Sequence, residues 1–428
     1  MSVIFERINA LKGVLDIPGD KSFSHRALIL GAMASGDTRI SHVPHSEDCN
    51  DTIECLTNLG ISIENTDDAV IVHGMGLHGF REPKLTLNVG NSGTTIRLLS
   101  GVLAAQDFVS EISGDNSILR RPMDQIITPL VEMGANISYK HNNNCPPLVI
   151  LPSTIRGGRY QCSIASPQVK SSVLFTALFA DSDTLFTEPY QSRNHTELLL
   201  SAFSADIDSW ETSIIMHPVE RLNPVDITIP GDISSAAYFM TAALITKDSE
   251  IELRGIGMNP TRNGFLDVIR EMGADIEIIN EQNGLEPTAD LIVRSSKLHG
   301  ITLSGEIIPR TLDEIPILMV LACYAEGITS IKDGGELELK ESDRLDITIE
   351  NLKKMGANIA RANDSIVIEG GHPLHGAIIG TKYDHRIAMS FAVASLGASG
   401  KTEIIGSECV NVSYPGFYET LRGLFPGA

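Results

Sequence analysis

With 428 residues and 42% hydrophobic content, the chain exceeds what one core usually supports, so two domains of roughly 200 residues each are expected. Its 33 basic against 54 acidic residues give a formal charge of −21, a field that repels nucleic acid and anionic membrane, so any anionic partner needs a local basic cluster. Glu6 and Arg7 interrupt the start where a secretion signal needs an apolar core, and no later stretch resembles a membrane span.

In chain order, residues 1–17 read as two strands, followed by "DKSFSHRALILGAMA", a polar turn opening an almost wholly apolar helix at Ser22. Next comes "CLTNLGISIE", an amphipathic helix that runs out at Gly60 into a strand, and "ISIENTDDAVIVHG" completes a hairpin. The same alternation then repeats. Apolar helices open at Ser92 ("GNSGTTIRLLSGVLAA"), Ser166 ("SPQVKSSVLFTALFA"), Ser234 ("GDISSAAYFMTAAL"), Asp313 ("TLDEIPILMVLACYA") and Asp384 ("YDHRIAMSFAVASLG"). Between them, amphipathic helices end at Gly134, Ser204, Gly273 and Gly356. Spacings of 70, 74, 68, 79 and 71 in one series and 74, 70, 69 and 83 in the other indicate six copies of one unit.

Each unit reads strand, buried helix, strand, amphipathic helix, strand, strand. The last copy lacks its hairpin, which residues 1–17 can supply if the chain closes on itself. The expected domains are therefore 1–17 with 231–428, and 18–230, joined by a paired hinge at 16–22 and 228–234. "DIPGDKS" and "TIPGDIS" at these two crossings are nearly the same. The fold class is α/β (α+β): two similar lobes, each of three βαβαββ units around buried parallel helices, an inverse α/β barrel.

Helices running side by side present N-termini on one face, where exposed N–H groups and the positive dipole end attract anions. Lys21, Arg26, Arg97, Lys170 and Arg386 sit at these openings, with Arg121, Arg193, Lys340 and Arg344 in the turns before the second helices. Taken singly, such residues are ordinary solvated turns, and Ser22 is partly an N-cap. Their recurrence beside Gly-rich turns and small hydroxyls in both lobes favours a site for anions. Two carboxylates stand among these cations, Asp313 and Glu341, as charge partners or as groups for proton transfer. Asp384 can orient His385, although a structural histidine serves equally.

Other motifs fail. "GMGLHG" (74–79) is followed by Pro83 where a dinucleotide-binding helix should begin, and "GASGKT" (397–402) closes a helix instead of opening one. His42, His45 and Cys49 read as a helix N-terminus before they read as a metal site. Six cysteines without C-x-x-C spacing give neither a structural zinc site nor a disulfide framework, and fit a reducing cytoplasm.

Across its whole length the chain resembles the EPSP synthase family of enolpyruvyl transferases, the 3-phosphoshikimate 1-carboxyvinyltransferases. The matching segments are "PGDKSFSHRA", "GNSGTTIRLLSG", "RRPMDQIITPL", "SPQVKSS", "SRNHTE", "PGDISSA", "LDEIPILMVLACYAEG", "KESDRL" and "DHRIAMSFAV". The resemblance implies transfer of the enolpyruvyl group of phosphoenolpyruvate to the 5-hydroxyl of shikimate 3-phosphate in the shikimate pathway of aromatic amino acid biosynthesis. It implies that Lys21, Ser22, Arg26, Ser166, Gln168, Arg193, Asp313 and Lys340 contact shikimate 3-phosphate. Lys21, Gly93, Arg121, Gln168, Arg344 and Arg386 would grip phosphoenolpyruvate. Asp313 would be the base and Glu341 the acid, with Lys21 assisting. No metal or organic cofactor is called for. The partners are two small anions and not nucleic acid or membrane, and a cytoplasmic monomer is the expectation. Glu336, Arg193 and Val412 depart from one branch of the family. The rivals are a UDP-N-acetylglucosamine enolpyruvyl transferase, whose reactive Cys or Asp has no counterpart Cys near "GDNSILRRP", and a noncatalytic phosphate-binding protein.

Overall fold

The computed structural model describes residues 1–141, 143–332, 334–362 and 365–427, with the side chains of 334–343 outside the described set. The chain divides into two units, Gly19–Ile229 and Met1–Pro18 with Pro230–Ala428, each with its own hydrophobic core.

The unit Gly19–Ile229 contains α1 (Lys21–Met33), α2 (Glu47–Asn58), α3 (Gly93–Leu103), α4 (Asp124–Glu132), α5 (Pro167–Ala177) and α6 (His195–Ala202). The odd-numbered helices are buried nearly all round, as their apolar composition demands. They run parallel: the Ser172 hydroxyl of α5 donates to the Arg97 carbonyl of α3 at 2.9 Å, and one turn on Thr176 donates to the Gly101 carbonyl at 2.8 Å. Gly101 permits this approach, because a Cβ there would run into the Ser172 carbonyl.

Three four-stranded sheets wall this unit, each a parallel pair continued by an antiparallel hairpin. In the second, Leu87–Asn88 lies parallel to Ser110–Ser113, which pairs antiparallel with Leu148–Leu151 and through it with Asn136–Tyr139. In the first, the leading strand is Ile227–Thr228, from the end of the unit, parallel to Ser35–Ser41.

The other unit contains α7 (Ile233–Ile245), α8 (Gly264–Glu271), α9 (Ile307–Thr311), α10 (Ile315–Tyr324), α11 (Gly334–Lys354), α12 (His385–Gly397) and α13 (Phe417–Gly423). Its buried helices are α7, α10 and α12. Arg386 at the start of α12 donates to the Asp313 carbonyl just before α10 at 3.1 Å, and Tyr324 at the end of α10 donates to the Ala394 carbonyl at 2.6 Å, so these two also run parallel.

All five positions expected to end amphipathic helices adopt left-handed backbone, with φ of 91° at Gly60, 97° at Gly134, 64° at Ser204, 93° at Gly273 and 86° at Gly356. The N-terminal strands depart from expectation. Instead of adding a hairpin to the last unit, Ser2–Glu6 pairs antiparallel with Lys401–Ile405, while Lys12–Asp16 joins a different sheet, parallel to Glu250–Gly257. Ile227–Thr228, the segment that precedes α7, pairs with Ser35–Ser41, which leaves the parallel edge of Glu250–Gly257 open for Lys12–Asp16. In the last repeat a 3-10 turn, Ser407–Val412, and α13 follow Lys401–Ile405.

Among the described residues, no helix is long and apolar enough to cross a membrane.

Candidate functional site

In the unit Gly19–Ile229 the starts of α1, α3 and α5 come together. Asp20 caps α1, accepting the Phe23 N–H at 2.7 Å. Ser22, expected partly as a cap, sits inside the first turn, and its hydroxyl accepts from Arg26 at 2.7 Å. The cap falls to Asp20 because its carboxylate precedes the turn and reaches the N–H three residues on.

Lys21 is held by Asp48 of α2 at 2.6 Å, a partly buried pair that aims the ammonium at one place. Arg26 is buried and its fork spans three helices: Nε donates to Ser171 and Thr196, one terminal nitrogen to the Ser22 carbonyl and hydroxyl, the other to the Pro167 carbonyl and Ser171. Burial and the neighbouring charge of Arg193 bring Arg26 down to about 9, against the opposing pull of Asp20 and Glu197. Arg193 thus lies close enough to be felt by Arg26, which remains cationic at neutral pH.

A second group gathers at α3. Ser92 caps that helix, accepting the Thr95 N–H at 3.2 Å, and Ser166 caps α5, accepting the Val169 N–H at 3.4 Å. Arg97 donates to the Gln168 side-chain oxygen at 2.8 Å, and the Gln168 amide donates to Thr94 at 3.0 Å. Arg121 is steered by the Asn91 side chain at 3.1 Å and by Ser117 at 2.9 Å. Gly93, Arg97, Arg121 and Gln168 therefore form one cluster, with half-buried cations over a helix start.

Lys170, expected among the cations at the helix openings, belongs elsewhere. Its ammonium is fully buried between Glu188 at 3.0 Å and Glu197 at 2.7 Å. The opening of α5 is instead served by Gln168 and by Arg97 from the neighbouring helix.

In the other unit, Asp313 lies in the 3-10 turn Leu312–Glu314 ahead of α10. Arg386 pairs with its carboxylate at 3.1 Å, and Arg262 approaches the other oxygen at 4.0 Å. Burial alone would lower the pKa of Arg386, but Asp313 and the nearby Glu314 and Asp232 raise it well above its ordinary value. Asp384 caps α12 through the N–H groups of Arg386 and Ile387 and pairs with Arg344 Nε at 2.6 Å. Burial opposes ionisation of Asp384, yet Arg344, His385 and Arg386 overcome it and hold the carboxyl well below its usual range. Lys340, Glu341 and Glu336 lie outside the residues whose side chains are described.

Residues 5–421 match the family described as EPSP synthase (3-phosphoshikimate 1-carboxyvinyltransferase). The chain belongs to the EPSP synthase family. It is 48% identical over 421 residues to the 3-phosphoshikimate 1-carboxyvinyltransferase of Thermoanaerobacter sp. strain X514, covering 98% of this chain and 99% of that protein. The enzyme of that name from Geobacillus kaustophilus is 45% identical over 420 residues, 97% of this chain and 98% of its own. Among solved structures, EPSP synthase from Acinetobacter baumannii, at 2.37 Å, matches with a TM-score of 0.87 and 40% identity, covering 99% of this chain and 98% of that one.

Three residues that support the site in this family member were not singled out from sequence: Asp48, Arg262 and Glu314. Arg262 is buried, donating to Glu314 at 2.8 Å and to Asp232 at 3.2 Å, and also to Ser234, whose hydroxyl donates to Glu314. A signal for it existed. Arg262-Asn263 and Arg193-Asn194 are the same dipeptide, each arginine standing eleven residues before the left-handed position of its repeat, Gly273 or Ser204.

Proposed function

We infer that this chain transfers the enolpyruvyl group of phosphoenolpyruvate to the 5-hydroxyl of shikimate 3-phosphate, releasing phosphate. The observation that carries the reading is the cluster of Arg121, Arg97 and Gln168 over Gly93, where the missing side chain lets two guanidinium groups stand close against the backbone at the start of α3, a setting for an anion. Membership of the EPSP synthase family along nearly the whole chain supports the reaction.

Shikimate 3-phosphate is assigned to Lys21, Ser22, Arg26, Ser166, Gln168, Arg193, Asp313 and Lys340. Phosphoenolpyruvate is assigned to Lys21, Gly93, Arg121, Gln168, Arg344 and Arg386. Arginine forks suit carboxylate and phosphate, and fixed cations stabilise charge that shifts during reaction. Protonation of the phosphoenolpyruvate methylene carbon creates a cation-like centre at C2, which the 5-hydroxyl attacks as it loses its proton. Loss of a methyl proton then expels phosphate and restores the double bond. Asp313 is the base toward the hydroxyl: an ionised carboxylate only accepts hydrogen bonds, as that step requires. Glu341 is assigned as the acid toward carbon and Lys21 as the assisting cation at the bridging oxygen, Glu341 and Lys340 entering on family resemblance alone. The reaction needs no metal or organic cofactor. A cytoplasmic monomer acting on two small anions completes the reading, supported by six cysteines that stand as thiols.

Phosphate release with both substrates tests this, repeated with Asp313→Ala and Glu341→Ala. Turnover lost far beyond any weakening of ligand binding is the expected outcome. Unchanged turnover in either variant removes that residue from the proton transfers, and a folded wild-type chain that releases no phosphate overturns the function.

A further inference from the structure

Lys170 is buried and its ammonium is engaged by two carboxylates and a carbonyl, so it is not placed to touch a ligand. Yet it is the centre of an ion cluster beside Arg26 and Arg193, two residues assigned to shikimate 3-phosphate. Its ammonium donates to Glu188 at 3.0 Å, Glu197 at 2.7 Å and the Ser192 carbonyl at 3.0 Å. The same Glu188 oxygen accepts the Ser192 N–H at 2.8 Å. Both backbone polar groups of Ser192 are thereby tied into the cluster, and the next residue is Arg193. On the other side, Ser171 and Thr196, the chain neighbours of Lys170 and Glu197, accept from Arg26 Nε at 3.1 and 2.8 Å.

Burying one ammonium with two carboxylates is a poor way to gain stability, because desolvation offsets the attraction and an apolar set of similar volume often does as well. What the arrangement does provide is a fixed path for the segment from Glu188 to Arg193. We propose that Lys170, Glu188 and Glu197 are positioning residues that fix this segment and so hold the Arg193 guanidinium in place for shikimate 3-phosphate. The inference rests on the assignment of Arg193 to that ligand, and the contacts that hold the cluster run among Lys170, Glu188, Glu197 and Ser192, apart from the Gly93 and Arg121 assigned to phosphoenolpyruvate.

Binding of shikimate 3-phosphate to the full chain is measured by calorimetry, alongside thermal melting and both Michaelis constants. Lys170→Met should weaken shikimate 3-phosphate binding about tenfold, as Arg193→Ala should, with the phosphoenolpyruvate KM changed by less than about twofold. The double variant should bind no more than about twofold worse than Arg193→Ala alone, because the two substitutions remove one effect. Glu188→Gln, which keeps an oxygen for Lys170 and Ser192, should retain affinity within about twofold. Should Lys170→Met be too unstable, Lys170→Met/Glu188→Gln/Glu197→Gln removes both carboxylates that lose their ammonium and is measured in its place. Lower melting temperature with unchanged affinity, while Arg193→Ala still weakens binding, would make the cluster merely structural and overturn the inference. Unchanged affinity in Arg193→Ala would instead remove Arg193 from the ligand set, and the inference with it.

Discussion

The Arg121 guanidinium occupies the space that a side chain on Gly93 would need: an ideal Cβ there would stand 2.7 Å from an Arg121 terminal nitrogen and 3.1 Å from one of Arg97. The obstruction is the far end of two flexible side chains, not backbone. Gly93→Ala should therefore fold normally, with its melting temperature within about 2 °C of wild type, while pushing Arg121 aside. The phosphoenolpyruvate KM should rise about tenfold, corresponding to about 1.4 kcal/mol, with the shikimate 3-phosphate KM nearly unchanged. Steady-state kinetics varying each substrate in turn check this, and an unchanged phosphoenolpyruvate KM would separate Arg121 from that substrate.

Arg262 and Glu314 form a buried pair at the start of α10, next to the proposed base. Arg262→Met leaves Glu314 as an uncompensated buried carboxylate and should cost about 3–5 kcal/mol. Glu314→Gln added to it removes that charge and should recover more than half of the loss. Urea unfolding of the single and double variants measures the coupling. Activity should stay low even in the recovered protein, because the Asp313 carboxylate loses the Arg262 guanidinium beside it.

What could be read in the sequence was whatever repeats locally. Six apolar helices and five left-handed endings leave period and glycine signals, and the helix boundaries and φ values follow them. The fate of residues 1–17 could not be read, since Lys12–Asp16 and Ile227–Thr228 each sit beside a strand far along the chain, and strand partners depend on which edge is open. The site divides in the same way. Lys21, Gly93 and Gln168 open helices, and Arg121 stands in a turn, in stretches whose composition announces them, whereas the inward turn of Lys170 and the buried position of Arg262 depend on carboxylates 18 and 52 residues distant. Charge patterning marks cations without telling which face they serve.

His25 carries a pH dependence that can be assigned. Its ring is buried in α1 and bonds to Thr52 at 2.7 Å, and Thr52 meets Thr95 at 2.6 Å, a neutral chain joining α1, α2 and α3. Burial, assisted by Lys21 and Arg26 and opposed by Asp48, lowers its pKa to about 3. The folded form stays neutral where the unfolded chain takes up a proton, so stability is full above the ordinary value near 6.5 and falls as pH drops from there toward 3. Between pH 7 and 5, wild type should lose about 2 kcal/mol more than His25→Gln. Urea unfolding at both pH values checks the difference; equal slopes would mean that the imidazole charges within the fold.

Asp384 combines two tasks that one substitution separates. An asparagine there can still accept the N–H groups of Arg386 and Ile387, so Asp384→Asn keeps the cap of α12 but leaves Arg344 without its 2.6 Å partner. At pH 7 the variant should be about 1–2 kcal/mol less stable, the value of a partly buried charge pair at a helix start. Because the folded pKa is depressed, this contribution is complete above the ordinary carboxyl range and fades as pH falls through the folded value, so the gap between the two proteins should narrow at pH 3. Kinetically, loss of this ion pair should raise the phosphoenolpyruvate KM about fivefold while shikimate 3-phosphate affinity stays within about twofold. Unaltered kinetics in a variant with the expected stability loss would leave the ion pair a helix-capping device and take Arg344 out of the anion-binding set.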